Sequence, residues 1–479
     1  MKSTFAAISL LSIAFWQTQA PPAPSATVDT VFARWNQTTP GCAVGVGVNG
    51  KAVLERAYGM ADLERDVPNA PDTIFEAGSV SKQFTAAAVL LLAREGKLSI
   101  DDPVRKYVPE LPDYGVPLTI RHMLTHTSGL RDWGSVEGIA GWPRTTRAYT
   151  HGHVLDIVSR QKALNFTPGT AWSYSNTGYN LAAIIVSRVS GQPFADFSRE
   201  RIFQPLGMTR TSWRDDFTRI VKHRAIAYTQ QADGYHEEMP FENVHGNGGL
   251  LTTVGDLLRW NENFASPKVG DAAFLAEEQT PGRFTDGRAH DYAFGLFIGS
   301  YRGVREVNHS GSTAGYRAFL TRYPDQHVSV AVLCNAGSAN PTQYAHTVAD
   351  AYLGGALSPA PAAQAGGGRG GRGGTPASLF QPAASDVRSY AGRYTSDEAE
   401  TVLTVAPLDE AGADLVIKRR PDTTLRMRAV ERDVFAVPTL GTVTFRRNPG
   451  GQVTELSIKL DRVWDLRFQR VPEVARFPQ

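Results

Sequence analysis

The sequence predicts an α+β fold followed by a small all-β barrel, and three observations predict it. Strand-like runs lie near residues 42–57 and again over 292–335, with a mostly helical stretch from about 99 to 265 between them. A hairpin first, helices in the middle and strands last imply one sheet built from both chain ends. A stretch dominated by Gly, Ala, Pro and Ser then breaks the chain at 354–378, and residues 379–479 beyond it carry up to eight short strand-like runs separated by turn signals. At 479 residues the chain has room for two or three units. The expected organisation is a leader over 1–20, a large mixed domain over 21–353, a linker over 354–378 and a barrel over 379–479.

The leader has Lys2 as its positive region, a short, largely apolar core from residue 5 to 16, and small residues around Thr18-Gln19-Ala20. This is the pattern of a cleavable secretory signal, and the apolar run is too short to span a bilayer comfortably. The mature protein is therefore expected to be secreted or periplasmic, with no stable membrane span. In the first hairpin, Ala43-Val44-Gly45-Val46-Gly47-Val48 is a strand, Asn49-Gly50 is a two-residue turn and Ala52-Val53-Leu54 returns. Next comes a helix that is apolar on nearly every side, from Phe84 to Leu92, which must lie buried. Helical spacing recurs at 154–160 and 179–190. Strands are expected at 292–299, 305–309, 316–323 and 328–335. The linker holds Gly366-Gly367-Gly368-Arg369-Gly370-Gly371-Arg372-Gly373-Gly374, which cannot bury a core. In the tail, alternation at 442–446 and 456–460 suggests an up-and-down barrel.

Composition removes several function classes. The net charge of +2 leaves no concentrated basic face for nucleic acid, and the two arginines of the Gly-rich linker fit a solvated tether. With only two cysteines, Cys42 and Cys334, the chain is neither a disulfide scaffold nor a C-x-x-C protein. His122 and His126 stand at i, i+4, but Met123 occupies the place of the H-E-x-x-H glutamate. His151-Gly152-His153 reads as a loop. No metal or cofactor is expected.

Chemistry enters at Ser79-Val80-Ser81-Lys82, which opens the buried helix. A Ser and a Lys at this spacing share one helical face, and a buried amine that loses its proton near neutral pH becomes a base for the hydroxyl. The helix N-terminus favours developing negative charge. The pattern alone is weak: Ser159-Arg160-Gln161-Lys162 repeats it without support, and a serine at a helix start is as readily a cap. Two tripeptides add weight. Tyr174-Ser175-Asn176, in the loop after Pro168-Gly169, is the only Y-x-N of the chain, and His309-Ser310-Gly311 is the only H-x-G. Read locally, Tyr174 is equally a half-buried loop tyrosine, Asn176 a helix cap and His309 a packed core residue. Lys268-Val269-Gly270 competes for the third position, but no strand pattern follows it.

The order and spacing of Ser79, Tyr174 and His309 resemble the three-motif active site of the serine β-lactamase and penicillin-binding superfamily, written S-x-x-K, S-D-N and K-T-G in one version. The Y-x-N and H-x-G forms resemble class C β-lactamases, DD-peptidases, D-aminopeptidases and esterases of that fold. The flanking segments 75–86, 118–130, 248–253 and 308–316 are similar to the family's as well. The resemblance covers roughly 29–350. It implies an antiparallel sheet of the five-stranded type flanked by helices, an all-helical lobe, and a site between them. The tail resembles the lipocalin-like barrels appended to some members, and no catalytic constellation is legible in it.

The same resemblance implies acyl transfer through an acyl-enzyme on Ser79, with Lys82 and Tyr174 sharing proton transfer. Asn176, His309, Ser310 and Gly311 would bind substrate, and the backbone N–H groups of Ser79 and Ser312 would form the oxyanion hole. Which of Lys82 and Tyr174 is the base stays open. His309 replaces a permanent cation with a group that ordinarily titrates near ~6.5, which weakens the case for a β-lactamase. His126, Thr127 and Ser128 either line the cleft or end a helix capped by Gly129. The reading is an exported serine hydrolase acting on a small-molecule ester, amide or D-amino-acid peptide. The alternatives are a true β-lactamase and a catalytically idle peptidoglycan-binding protein of the same fold. The resemblance also makes the strands that begin at Cys42 and end at Cys334 antiparallel neighbours. The two sulfurs are then expected close together, with separate buried thiols favoured over a bond.

Overall fold

The computed structural model describes residues 24–359, 380, 382–408 and 414–472. The expected leader and most of the expected linker lie outside these residues.

The mixed domain begins with helix α1 (Pro24–Phe32) and the hairpin β1 (Cys42–Val48) and β2 (Lys51–Tyr58). Asn49 and Gly50 both have positive φ, +50° and +76°, the geometry that joins twisted strands in two residues. Helix α2 (Ser81–Arg94) follows, and Ser81 to Leu92 are all buried, as its all-round apolar sequence requires. The helical lobe adds α3 (Trp133–Ala140), α4 (His151–Ser159) and α5 (Asn176–Ser190). His151, Gly152 and His153 form the first turn of α4 and not a loop, because Thr150 caps it and exchanges capping bonds with His153. Three short strands, Phe75–Glu76, Leu250–Thr252 and Ser212–Trp213, form a small sheet under the nucleophile segment. Helix α6 (Val254–Asn263) then leads to β3 (Phe297–Tyr301), β4 (Val304–Thr313), β5 (Tyr316–Tyr323), β6 (Val328–Cys334) and α7 (Pro341–Leu353).

The main sheet is antiparallel, in the order β3-β4-β5-β6-β1-β2, and six strands wide, one more than the five-stranded type. Both chain ends build it, as the order of patterns predicts. The period of two along β1 explains its two faces. Cys42, Val44 and Val46 pack with Phe32, Tyr344 and Val348 on one side. Small residues face the other side, where a Cβ on Gly45 would stand 3.1 Å from both Val254 and Leu258, so α6 lies close against the sheet.

The β1–β6 register sets Cys42 directly opposite Cys334, with Cα atoms 4.0 Å apart, and the two are disulfide-bonded. The proximity agrees with the sequence-based expectation; the bond corrects the expectation of separate thiols, because the register sets the two residues one against the other.

The tail opens with a helix, Ala384–Tyr390, and then forms eight strands in sequence order. These are β7 (Gly392–Ser396), β8 (Thr401–Pro407), β9 (Leu415–Arg419), β10 (Thr423–Glu431), β11 (Val434–Val437), β12 (Gly441–Arg447), β13 (Val453–Leu460) and β14 (Val463–Arg470). β7 pairs with β14, closing an up-and-down barrel. Its core is filled by buried side chains, among them Tyr394, Ile417, Phe445, Ile458 and Phe468. The barrel sits on the helical lobe. Arg131 donates to Glu398 at 2.6 Å and to the Asp465 carbonyl at 2.9 Å, and Thr401 donates to the Ala140 carbonyl at 3.1 Å.

Candidate active site

Ser79 occupies a 3-10 turn, Gly78–Val80, that feeds directly into α2. The turn presses on the third motif. Gly78 has φ +51°, and a Cβ there would stand 2.6 Å from the Ser312 nitrogen. A Cβ on Gly311 would stand 2.0 Å from the Ala77 carbonyl oxygen. Only glycines permit this approach, which brings the backbone of Ser312 beside the nucleophile segment. Below the turn, Glu76 and Arg214, each 1% exposed, pair through two hydrogen bonds of 2.8 and 2.9 Å.

One turn along α2, Lys82 is fully buried. Its Nζ lies 3.0 Å from Ser79 Oγ, 2.9 Å from Asn176 Oδ1 and 2.6 Å from the Asn247 carbonyl oxygen. Burial, and then the positive charge of Arg462, push its pKa well below the ordinary lysine value. A neutral amine fits these neighbours: its two hydrogens go to Asn176 Oδ1 and the Asn247 carbonyl, and its lone pair faces the Ser79 hydroxyl. Asn176 begins α5, after Ser175 as the capping residue, and its N–H donates to Asp132 Oδ2 at 2.8 Å. Asn180, one turn along, donates to Asn247 Oδ1 at 2.7 Å. Two carbonyl acceptors are thereby fixed around the amine.

Tyr174 stands in the loop before α5, with its ring centroid 4.8 Å from Lys82 Nζ. Burial raises its pKa above the ordinary tyrosine value, opposed by a hydrogen bond with Ser79 and by the charge of Arg462. The phenol therefore keeps its proton at neutral pH. His126 stacks against it with ring centroids 4.2 Å apart, and His126 Nδ1 accepts from the Ser175 N–H at 3.2 Å. Burial holds this imidazole neutral as well. Helix Ile120–Leu124 ends at Thr125, so Gly129 is not its cap, and His126, Thr127 and Ser128 lie buried beyond it, His126 against Tyr174.

The third motif lies on β4. His309 is 2% exposed. Its Nδ1–H donates to the Ser310 carbonyl at 2.6 Å, and Nε2 accepts from the Tyr292 hydroxyl at 3.1 Å. Burial above all depresses its pKa to about 3. Both ring nitrogens are engaged within the protein, and this enclosure holds the imidazole neutral where the sequence alone leads to an ordinary histidine value. Ser310 and Ser312 are exposed on the same strand, with Gly311 buried between them.

The rival patterns assemble nothing. Ser159 Oγ donates to the Asp156 carbonyl, and Lys162 is 75% exposed beside Asp397. Lys268 follows Asn263, whose side chain accepts from the N–H groups of Lys268 and Val269.

Several residues at the site carry no readable sequence signal. Asn247 contributes a main-chain carbonyl, Tyr292 reaches His309 from an irregular segment, and Asp132 caps α3 while holding Asn176. The largest omission is the barrel. The turn between β13 and β14 enters the cleft, and the Arg462 guanidinium lies over the Tyr174 ring, 4.7 Å from its centroid. The tail shows no catalytic constellation in its sequence; the seating of the barrel on the helical lobe brings Arg462 beside Tyr174.

Residues 27–354 match the family model described as Beta-lactamase. Penicillin-binding protein 4* of Bacillus subtilis (strain 168) is 32% identical over 305 residues, which is 60% of this chain and 66% of that protein. A D-aminopeptidase of Cereibacter sphaeroides (strain KD131 / KCTC 12085) is 30% identical over 323 residues, 66% of this chain and 60% of that protein. The chain thus spans less than two thirds of the length of these relatives. Among solved structures, the octameric penicillin-binding protein homologue from Pyrococcus abyssi shares the fold with a TM-score of 0.61 at 24% identity, over 93% of this chain and 98% of that one. Ser79, Lys82, Tyr174 and His309 all lie within the matched residues, and the chain belongs to the Beta-lactamase family.

Proposed function

We propose that the chain is an exported serine hydrolase that cleaves an amide or ester bond, in substrates bearing D-amino acids, through an acyl-enzyme on Ser79. The observation that carries this reading is Lys82 Nζ, fully buried and 3.0 Å from Ser79 Oγ, with its pKa pushed far down. In the proposed cycle the Ser79 hydroxyl gives its proton to the neutral Lys82 amine as Oγ bonds to the substrate carbonyl carbon. Negative charge develops on the carbonyl oxygen, facing the backbone N–H groups of Ser79 and Ser312. When the carbon–leaving-group bond breaks, Tyr174 donates its phenolic proton to the leaving nitrogen or oxygen and is reprotonated from Lys82. Its raised pKa makes it a proton carrier in this scheme and leaves Lys82 as the base. Water then follows the reverse path and releases Ser79.

The relative named D-aminopeptidase supports the D-residue preference. The Cys42–Cys334 bridge, which belongs to an oxidising compartment, supports export together with the leader pattern. A β-lactamase reading is weaker because the third motif offers a neutral, enclosed His309 in place of a fixed cation. An idle binding protein has no use for a base held ready against a serine.

The test is labelling of the full chain with a fluorescent penicillin, with mass analysis of the modified peptide, beside turnover of p-nitrophenyl esters and D-amino-acid anilides. The expected result is an adduct on Ser79 and hydrolysis that falls below ~1% in Ser79→Ala. Activity that survives Ser79→Ala sinks the proposal.

A further inference from the structure

We infer that the cavity at the end of the main sheet remote from Ser79 binds a compact organic polyanion, one that carries a phosphate or several carboxylates. This goes beyond the hydrolase reading and does not depend on it.

The cavity measures about 870 Å³ and lies between α6, the β1–β2 hairpin and the β5–β6 turn. That is room for a sugar-sized ligand. Arg322, on its wall, stands five residues along β5 from Arg317, the residue that pairs with Ser312 beside the nucleophile segment. At the rise of a strand the separation is about 17 Å, so the cavity is distinct from the cleft.

Arg322 is built into the wall. It is 5% exposed, and its guanidinium lies 3.6 Å from the centre of the Phe264 ring. Its hydrogen-bond partners are neutral: Nη2 donates to Gln279 Oε1 at 2.9 Å and Nη1 to Asn261 Oδ1 at 3.4 Å, while Nε has no partner. Burial lowers its pKa to about 9, which leaves it a cation at neutral pH. The carboxyl whose field reaches it is Glu278, and burial lifts that group so far above the carboxylate range that it keeps its proton. A buried cation without a charged partner is costly, and a bound anion offsets that cost.

The rim repeats the pattern. Lys268 and Arg305 also line the cavity and are exposed. Among the described residues, no hydrogen bond or ion pair uses the side chain of either. The charge of Arg305 also repels that of Arg322. The carboxylates of the wall, Glu55 and Glu262, lie toward the hairpin. A Cβ on Gly50, in its turn, would stand 2.7 Å from Glu262 Oε1, and Glu55 lies beside Gly255. Lys268, Arg305 and Arg322 are thus left on the wall without counterions, and a guanidinium fork matches phosphate or carboxylate oxygens.

The test is calorimetry on the full chain at constant ionic strength, with glucose 6-phosphate, citrate and, as the uncharged control, glucose. Both anions are expected to bind at least about 10-fold more tightly than glucose, and binding of one of them alone also supports the site and tells phosphate from carboxylate. Arg322→Gln should weaken binding about 10- to 100-fold, the range of a lost charge-assisted hydrogen bond. Lys268 and Arg305 are exposed, so Lys268→Gln/Arg305→Gln keeps the test open should Arg322→Gln fail to fold; it should weaken binding about 10-fold. Three results would overturn the inference: neither anion binds better than glucose, the double variant keeps full affinity, or Arg462→Gln abolishes binding and so places the anion in the cleft.

Discussion

Replacing Arg131 by Ala should unseat the barrel from the helical lobe. The Arg131 side chain is 3% exposed, and its guanidinium reaches three acceptors: Glu398 Oε1 at 2.6 Å, the Ala163 carbonyl at 2.5 Å and the Asp465 carbonyl at 2.9 Å. Two of the three belong to the barrel. Truncation leaves Glu398, itself only 13% exposed, without its counterion, and strands two carbonyls. Breaking a buried pair costs about 3–5 kcal/mol. Burial already raises the Glu398 carboxyl above its ordinary range, so it takes up a proton more readily once Arg131 is gone, which trims the cost to about 3 kcal/mol. Urea unfolding followed by tryptophan fluorescence measures the loss. Arg131→Lys should recover little of it, because an ammonium cannot span three acceptors as the fork does. The double variant Arg131→Ala/Glu398→Ala should be less damaged than the sum of the singles, by at least ~1 kcal/mol. A loss below ~1 kcal/mol for Arg131→Ala, or strict additivity in the cycle, refutes the argument that this network seats the barrel.

Three further outcomes are expected. Tyr174→Phe should lower kcat by about 100-fold or more and leave substrate binding nearly unchanged, since it removes the proton carrier alone; an unaltered kcat makes Tyr174 a packing residue. Removing the disulfide in Cys42→Ala/Cys334→Ala opens a loop closed across a sequence separation of 292 and should cost up to about 6 kcal/mol in the chain-entropy account, read as a drop in the urea midpoint that the same midpoint under reductant matches. Acid should destabilise the fold through His309. Its folded pKa of about 3 lies below the unfolded value near ~6.5, so the unfolded chain takes its proton first as pH falls. That stability is complete above the unfolded value and drains away toward the folded one, reaching a loss of ~2–3 kcal/mol by about pH 4.5. A His309→Asn chain with the same slope of stability across this window would falsify the assignment.

What the sequence made legible is what local spacing encodes. Gly45 and Gly47 alternate with Val44 and Val46, so β1 and its two faces could be read directly, and Asn49-Gly50 marked the turn. Ser79 and Lys82 share a helix face by arithmetic, and Asn176 meets Lys82 through a motif held in a single short segment. The remainder depends on contacts between distant segments. The Asn247 carbonyl acts through a main-chain atom that every residue possesses. His309 reads as an ordinary histidine until Tyr292 and the surrounding core enclose it. Arg462 sits in a tail that looks inert, and becomes a cleft residue only because Asp132, Asn165 and Ser173 hold its turn. The closeness of Cys42 and Cys334 follows from the neighbouring strands that the family resemblance implies, but the bond turns on a register that no pattern in either strand specifies.

The pairing of β1 with β6 has a consequence for how the chain comes to be folded. β1 lies inside the sheet, yet its second partner arrives only with Val328 to Cys334. At ribosomal speeds the intervening stretch takes on the order of 15–60 s to make. During that interval the hairpin of β1 and β2 has one free edge, and Cys42, Val44 and Val46 have no core to enter. A topology of such high contact order folds late and all together, with an aggregation-prone edge on show until it does. The main sheet therefore cannot close until most of the chain has been made. The chain's oxidation is equally late, since Cys42 meets Cys334 only at the last step of sheet closure.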